Sequence, residues 1–183
     1  MNRLLTSAWL LILLTSLPAA AQDWQPVAGD DFQNDCAAAL QKFRDKDKLQ
    51  RFFKEAHALV IFPSVKRFGL AFGTAWGKGL VIRGDEMIGR AGQRQLSLGP
   101  QFGGQVHSQI IFFRDEAALE TFQQGRREFL GRASATGVVW GGAAEPVNLP
   151  EVAIFSNTTG GLMLELAAAG IRYSYEPVDP AAE

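Results

Sequence analysis

Two hydrophobic periods divide the chain. Phe32, Cys36, Ala39, Leu40 and Phe43 repeat at helical spacing, which predicts an amphipathic helix over about 31–45 with Asp30 or Asp31 as its N-cap. The charges Arg44-Asp45-Lys46-Asp47-Lys48 break the stripe, and Leu49, Phe52, Phe53 and Ala56 resume it. A second short helix or a kinked continuation follows, with Asp47 as its cap. From His57 the period falls to two. His57–Phe62 is an apolar strand that Pro63-Ser64 closes with a turn. Next, Phe68, Leu70, Phe72, Thr74 and Trp76 alternate with Gly69, Ala71, Gly73, Ala75 and Gly77, which predicts a strand over 68–76, bulky on one face and nearly bare on the other. A bare face is entropically costly, so it implies that a helix, another backbone or a ligand comes close.

The pattern then reads as a β-meander. Gly77-Lys78-Gly79 punctuates it, Leu80–Arg83 is a strand, Gly84-Asp85 is a hairpin turn into Glu86–Gly89, and 90–95 leads to a short strand over 96–99. The longest strand is Phe102–Phe113, with Val106, Ile110 and Phe112 on a core face and Gln105, His107 and Gln109 on a polar one. Asp115 caps a helix through Ala118, Leu119 and Phe122 that Gly125 ends. Strands follow over 129–140, 152–156, 162–166 and 171–175, with an exposed loop at 145–150 and a turn at 157–161. The expected fold class is α+β: a mainly antiparallel, strongly curved sheet or partial barrel, with N-terminal helices and one mid-chain helix.

Residues 1–21 are set apart from this scheme. Arg3, the apolar run Ala8–Leu14 and the small residues Ala19-Ala20-Ala21 have the form of a secretory signal peptide cleaved after Ala21. The rest divides into an unstructured lead (22–30), a single domain (31–176) and a disordered acidic tail (177–183). A periplasmic or secreted location is therefore expected, with peripheral membrane association open to it. Overall charge is nearly balanced, which argues neither for nucleic acid nor for an acidic partner, and no nucleic-acid partner is expected. Its distribution is uneven: Lys42–Arg94 holds 12 basic and 5 acidic residues, whereas 95–183 holds 5 basic and 10 acidic ones. That asymmetry is either a basic face for phosphate or lipid headgroups or simply solvated surface. Cys36 is the sole cysteine, excluding an intrachain disulfide, and its helical register makes it a small buried apolar residue.

No catalytic constellation emerges. His57 and His107 are the only histidines, neither lies in an HExxH pattern, and no paired cysteines exist, so neither a metal nor any other cofactor is expected. The serines lack a G-x-S-x-G context, and Gly77-Lys78-Gly79 lacks the remainder of a phosphate loop. Arg83-Gly84-Asp85 is explained by hairpin chemistry. His107, on the polar face of its strand, is expected to be solvated or hydrogen-bonded. The chemistry that remains is interfacial: Phe68 and Trp76 with Lys66, Arg67 and Lys78 have the make-up of a patch in which aromatics sit at headgroup depth and cations meet phosphate. The plainer alternative puts both aromatics in the core and leaves the cations to cap strand ends.

Five segments in order resemble the SYLF domain family: Ala56-His57-Ala58-Leu59-Val60-Ile61-Phe62-Pro63-Ser64-Val65-Lys66, Trp76-Gly77-Lys78-Gly79-Leu80-Val81, Leu98-Gly99-Pro100-Gln101-Phe102-Gly103-Gly104-Gln105, Ile110-Ile111-Phe112-Phe113 and Gly160-Gly161-Leu162-Met163. The resemblance spans about 31–175. It implies a non-enzymatic lipid-binding protein, since bacterial members are exported and eukaryotic ones bind phosphoinositides through a basic amphipathic N-terminal helix. It thereby adds Lys42, Arg44, Lys48, Arg51 and Lys54 to Lys66, Arg67, Phe68, Trp76 and Lys78 as expected lipid-contact residues. Anionic phospholipids of the envelope are the implied partner. The competing expectation is a periplasmic structural or protein-interaction module whose partner is an envelope protein.

Overall fold

A computed structural model describes residues 24–69, 72–98, 103–125, 150–158, 161–164 and 171–178. The expected leader, the strand expected over 129–140, nearly all of the expected 145–150 loop and most of the acidic tail lie outside these residues. Among the described residues three helices, α1 (Asp31–Arg44), α2 (Gln50–Glu55) and α3 (Glu116–Gln123), accompany seven strands. The strands are β1 (Ala58–Gly69), β2 (Phe72–Arg83), β3 (Glu86–Leu98), β4 (Gly103–Phe113), β5 (Val152–Thr158), β6 (Gly161–Leu164) and β7 (Ile171–Pro177). They form one open antiparallel sheet in the order β6-β5-β4-β1-β2-β3-β7, as the α+β reading expects.

Local chemistry places the helices. Asp30 caps α1 by accepting from the Gln33 backbone N–H at 2.9 Å, and the Gln33 side-chain amide donates back to Asp30 at 2.9 Å. The Gln33 N–H holds the Asp30 carboxyl below its ordinary range, so this cap stabilises the fold above the usual carboxylate pKa and is lost as pH falls through the lowered value. Asp115 caps α3 in the same manner, accepting from Ala118 at 2.9 Å, and Gly125 follows that helix in the left-handed conformation at φ +64°. Asp47 does not cap α2. It begins a 3-10 turn, Asp47–Leu49, and α2 starts after Leu49 without a side-chain cap. The expected unstructured lead is docked from Trp24 on: that ring is buried in the core, and Val27 N–H donates to Gln33 Oε1 at 3.0 Å.

The sheet carries two cores. On one face Leu59, Ile61, Leu80, Ile82, Ile110, Phe112 and Phe155 pack under Cys36, Leu40 and Phe43 of α1 and Phe52 and Phe53 of α2. On the other, Val60, Phe62, Val81, Ile111, Phe113 and Ile154 meet Leu119 and Phe122 of α3. Each fully buried Phe or Leu contributes about 1.5–3 kcal/mol, so stability is concentrated where both faces are covered.

The strand boundaries differ from expectation in one consequential way. Pro63-Ser64 does not end a strand: β1 continues through it to Gly69. Pro63 sits in a β-bulge, since Ile61 and Ser64 pair with Leu80 and Lys78, and Phe62 and Val65 pair with Gln109 and His107. One residue is thus extra against both neighbours, which is how a proline without an N–H is tolerated in a central strand. The stretch expected as one strand over 68–76 is split between β1 and β2, which pair from Gly69↔Gly73 onward. The punctuation at Gly77-Lys78-Gly79 is likewise strand interior, and β3 is continuous where two short strands were expected. The Gly84-Asp85 hairpin forms as expected, closed by Arg83↔Glu86 with Gly84 at φ +62°.

Gly79 explains the bare face of β2. A Cβ there would lie 2.5 Å from the Ile61 carbonyl oxygen and 2.8 Å from Phe62 Cδ1, whereas one at Gly77 would meet Val65 Cγ2 at 3.1 Å. The close approach is that of the bulged backbone. Gly79→Ala is expected to cost about 1–3 kcal/mol in denaturant unfolding and Gly77→Ala less, because a Cβ at Gly79 would overlap backbone at 2.5 Å whereas at Gly77 the nearest atoms, Val65 Cγ2 and the Ser64 carbonyl oxygen, stand at 3.1 and 3.2 Å. A neutral Gly79→Ala would remove the bulge as the reason for that glycine.

Candidate functional site

The bulge determines which side chains share a face. Before it, Leu59 and Ile61 point toward α1; after it, one extra residue inverts the alternation, so Ser64, Lys66 and Phe68 take that side. Lys78 and Trp76 of β2 alternate down from Leu80 to the same side. Trp76 lies four residues from Leu80, about 13 Å along the strand, beyond the helix-covered end. Phe68 and Trp76 are not core. They stack at 5.5 Å and 19°, and remain 49% and 47% exposed.

The register extends this surface across five strands. Val106, Lys66, Trp76, Arg94 and Arg172 lie in one cross-strand row through β4, β1, β2, β3 and β7. All five are exposed, Val106 at 58%. Val106, expected in the core of its strand, is therefore an apolar member of the open half of the sheet. His107 is the converse: expected to be solvated or hydrogen-bonded on a polar face, it is buried with Gln109 and Gln93 on the α3 side.

Of the ten expected contact residues, Lys66, Phe68, Trp76 and Lys78 come together. Arg67 does not join them. It alternates to the opposite face, where its guanidinium lies 3.4 Å from Gln95 Oε1. On the helices Lys42, Lys48 and Lys54 are exposed, but Arg44 lies over the Phe53 ring at 5.9 Å and Arg51 pairs with Glu55 at 2.8 Å. The apolar side of α1 is fully used against the sheet, so the helix keeps no apolar stripe to insert into a bilayer. Val106, Arg94 and Arg172 escaped the sequence reading, because only the pairing register shows that they flank Trp76 and Lys66.

Other chemistry is sparse. Cys36 is fully buried, and burial pushes its thiol up to about 12, which makes it unreactive. A cleft lined by Phe52, Glu55, Ala56, Phe112, Arg114 and Pro150 holds about 10 Å³, room for a water at most. Among the described residues no three His, Cys, Asp or Glu side chains converge as a metal site, and no helix is long and apolar enough to cross a membrane.

The fold and surface together define an open antiparallel α+β sheet, half covered by helices and half presenting aromatics among cations. No family model, curated protein or solved structure matches the chain.

Phe68→Ser and Trp76→Ser are each expected to lower stability by about 1 kcal/mol or less, since each gives up only half-exposed contacts. Phe112→Ala in the covered half is expected to cost about 3–5 kcal/mol. Equal losses in chemical denaturation would contradict the exposure of the pair.

Proposed function

We propose that this protein is an exported, non-enzymatic lipid-binding protein that lays the open half of its sheet on anionic phospholipid. The observation that carries this reading is the exposed Phe68–Trp76 stack set between Lys66 and Lys78 on one face. Aromatic rings of this kind settle at headgroup depth, and each nearby cation adds about 1 kcal/mol of attraction to an anionic surface. The resemblance to the SYLF domain and the leader-like residues 1–21 support the same reading and a periplasmic or secreted setting. Lys42, Lys48 and Lys54 add charge attraction without insertion, because the apolar side of α1 is already used in the core.

Co-sedimentation of the protein with neutral and anionic vesicles tests this. Binding is expected only to anionic vesicles and is expected to be released by salt. Phe68→Ser with Trp76→Ser should weaken it about tenfold, and Lys66→Glu with Lys78→Glu should weaken it more than Lys48→Glu with Lys54→Glu. Indifference to lipid charge together with capture of an envelope protein would favour the interaction-module reading.

A further inference from the structure

We propose that the hollow over Gly92 is a phosphate site that makes this surface select phosphomonoester headgroups over phosphodiester ones, an inference that rests on the membrane reading above. Gly92 in β3 lies between Lys78 of β2 and Ser174 of β7 in one cross-strand row. In the adjacent row Arg94 follows on β3 and Arg172 faces it on β7. Lys78, Arg94, Arg172 and Ser174 are all exposed, on the face that carries Phe68 and Trp76. With no side chain of its own, Gly92 leaves space that the Ser174 hydroxyl leans into: Oγ lies 2.5 Å from where a Cβ would be. The result is a gap on the exposed face, bordered in register by Lys78 and Ser174 in its own row, by Arg94 and Arg172 in the row on one side and by Arg90 and Glu176 in the row on the other.

The charges around this gap are unbalanced. Directly opposed like charges destabilise an antiparallel pair, yet Arg94 faces Arg172. Among the described residues no carboxylate forms an ion pair with Lys78, Arg94 or Arg172. The carboxylate of β7 nearest this gap on the same face is Glu176, two residues beyond Ser174, where it lies opposite Arg90 and is offset by that charge. A bound anion relieves this repulsion. Guanidinium groups suit a phosphate because they bind its oxygens in pairs, and the hydroxyl supplies a further donor. A phosphomonoester carries about −1.5 to −2 charges near neutral pH against one for a diester, so a group of three cations favours the monoester. The neighbouring aromatic stack fixes the source, since a headgroup held there keeps its acyl chains beside Phe68 and Trp76.

The test compares the protein on phosphatidylcholine vesicles doped with phosphatidic acid or with phosphatidylglycerol, matched for surface charge. The native chain is expected to bind the phosphatidic acid vesicles about tenfold more tightly. Arg94→Gln with Arg172→Gln should weaken binding to both vesicles, because two cations are lost from the surface, and should bring the two to parity. Gly92→Val should bring them to parity with every charge retained, because it fills the hollow and displaces only the tip of Ser174. Equal binding of both vesicles by the native chain, or a preference that survives both variants, overturns the phosphate site while the membrane reading stands. Binding to neither vesicle overturns both.

Discussion

One extra residue in the central strand decides what the open face of this protein carries. β1 is fourth of seven strands, and the bulge at Pro63 reverses its alternation halfway along. Were the strand regular through Pro63, the parity of Val60 and Phe62 would continue to Phe68, sending Phe68 and Lys66 to the α3 side and Arg67 to the side of Trp76. The geometry has local requirements that the sequence meets. Proline removes an N–H that a regular central strand would have paired, and Gly79 leaves room for the displaced Ile61 carbonyl and the Phe62 ring.

The helices and the bulge divide the sheet into two halves with different physics. In the covered half, apolar side chains on both faces meet α1, α2 and α3, and the free energy of burial holds the fold. In the other half the face below α1 keeps its aromatics and cations in contact with solvent. A stacked Phe68–Trp76 pair retains area that folding did not use, which leaves that area for a surface outside the molecule. In the proposed lipid contact the basic residues of α1 and α2 take a lesser part, because those helices have already given their apolar sides to the core.

Much of the fold was legible in the sequence. Helical spacing in 31–43 and 116–122, the Asp30 and Asp115 caps, the Gly84-Asp85 hairpin and the antiparallel α+β class all follow from local rules whose causes lie within a few residues. The bulge was misread as a strand end, since Pro63-Ser64 has the same local chemistry as a turn. Only Gly77 and Gly79, more than a dozen residues later, indicate that the chain runs on beside them. Val106 and His107 alternate along β4 as expected, but the cover over each face is a long-range property: the side of Ile110 and Phe112 is bare at Val106, and the opposite side is buried at His107. Arg94 and Arg172 are 78 positions apart, and strand order, which is a long-range property, is what brings them face to face.

Trp76 is the natural reporter of whether the open half-sheet is the face that meets lipid. Acrylamide quenching of tryptophan emission should be measured for the native chain and for Trp76→Phe, each with and without anionic vesicles. Vesicles are expected to blue-shift and protect a component of the native emission that Trp76→Phe lacks. If the protein sediments with the vesicles while that component stays as quenchable as in solution, contact is made through another face and the account is wrong.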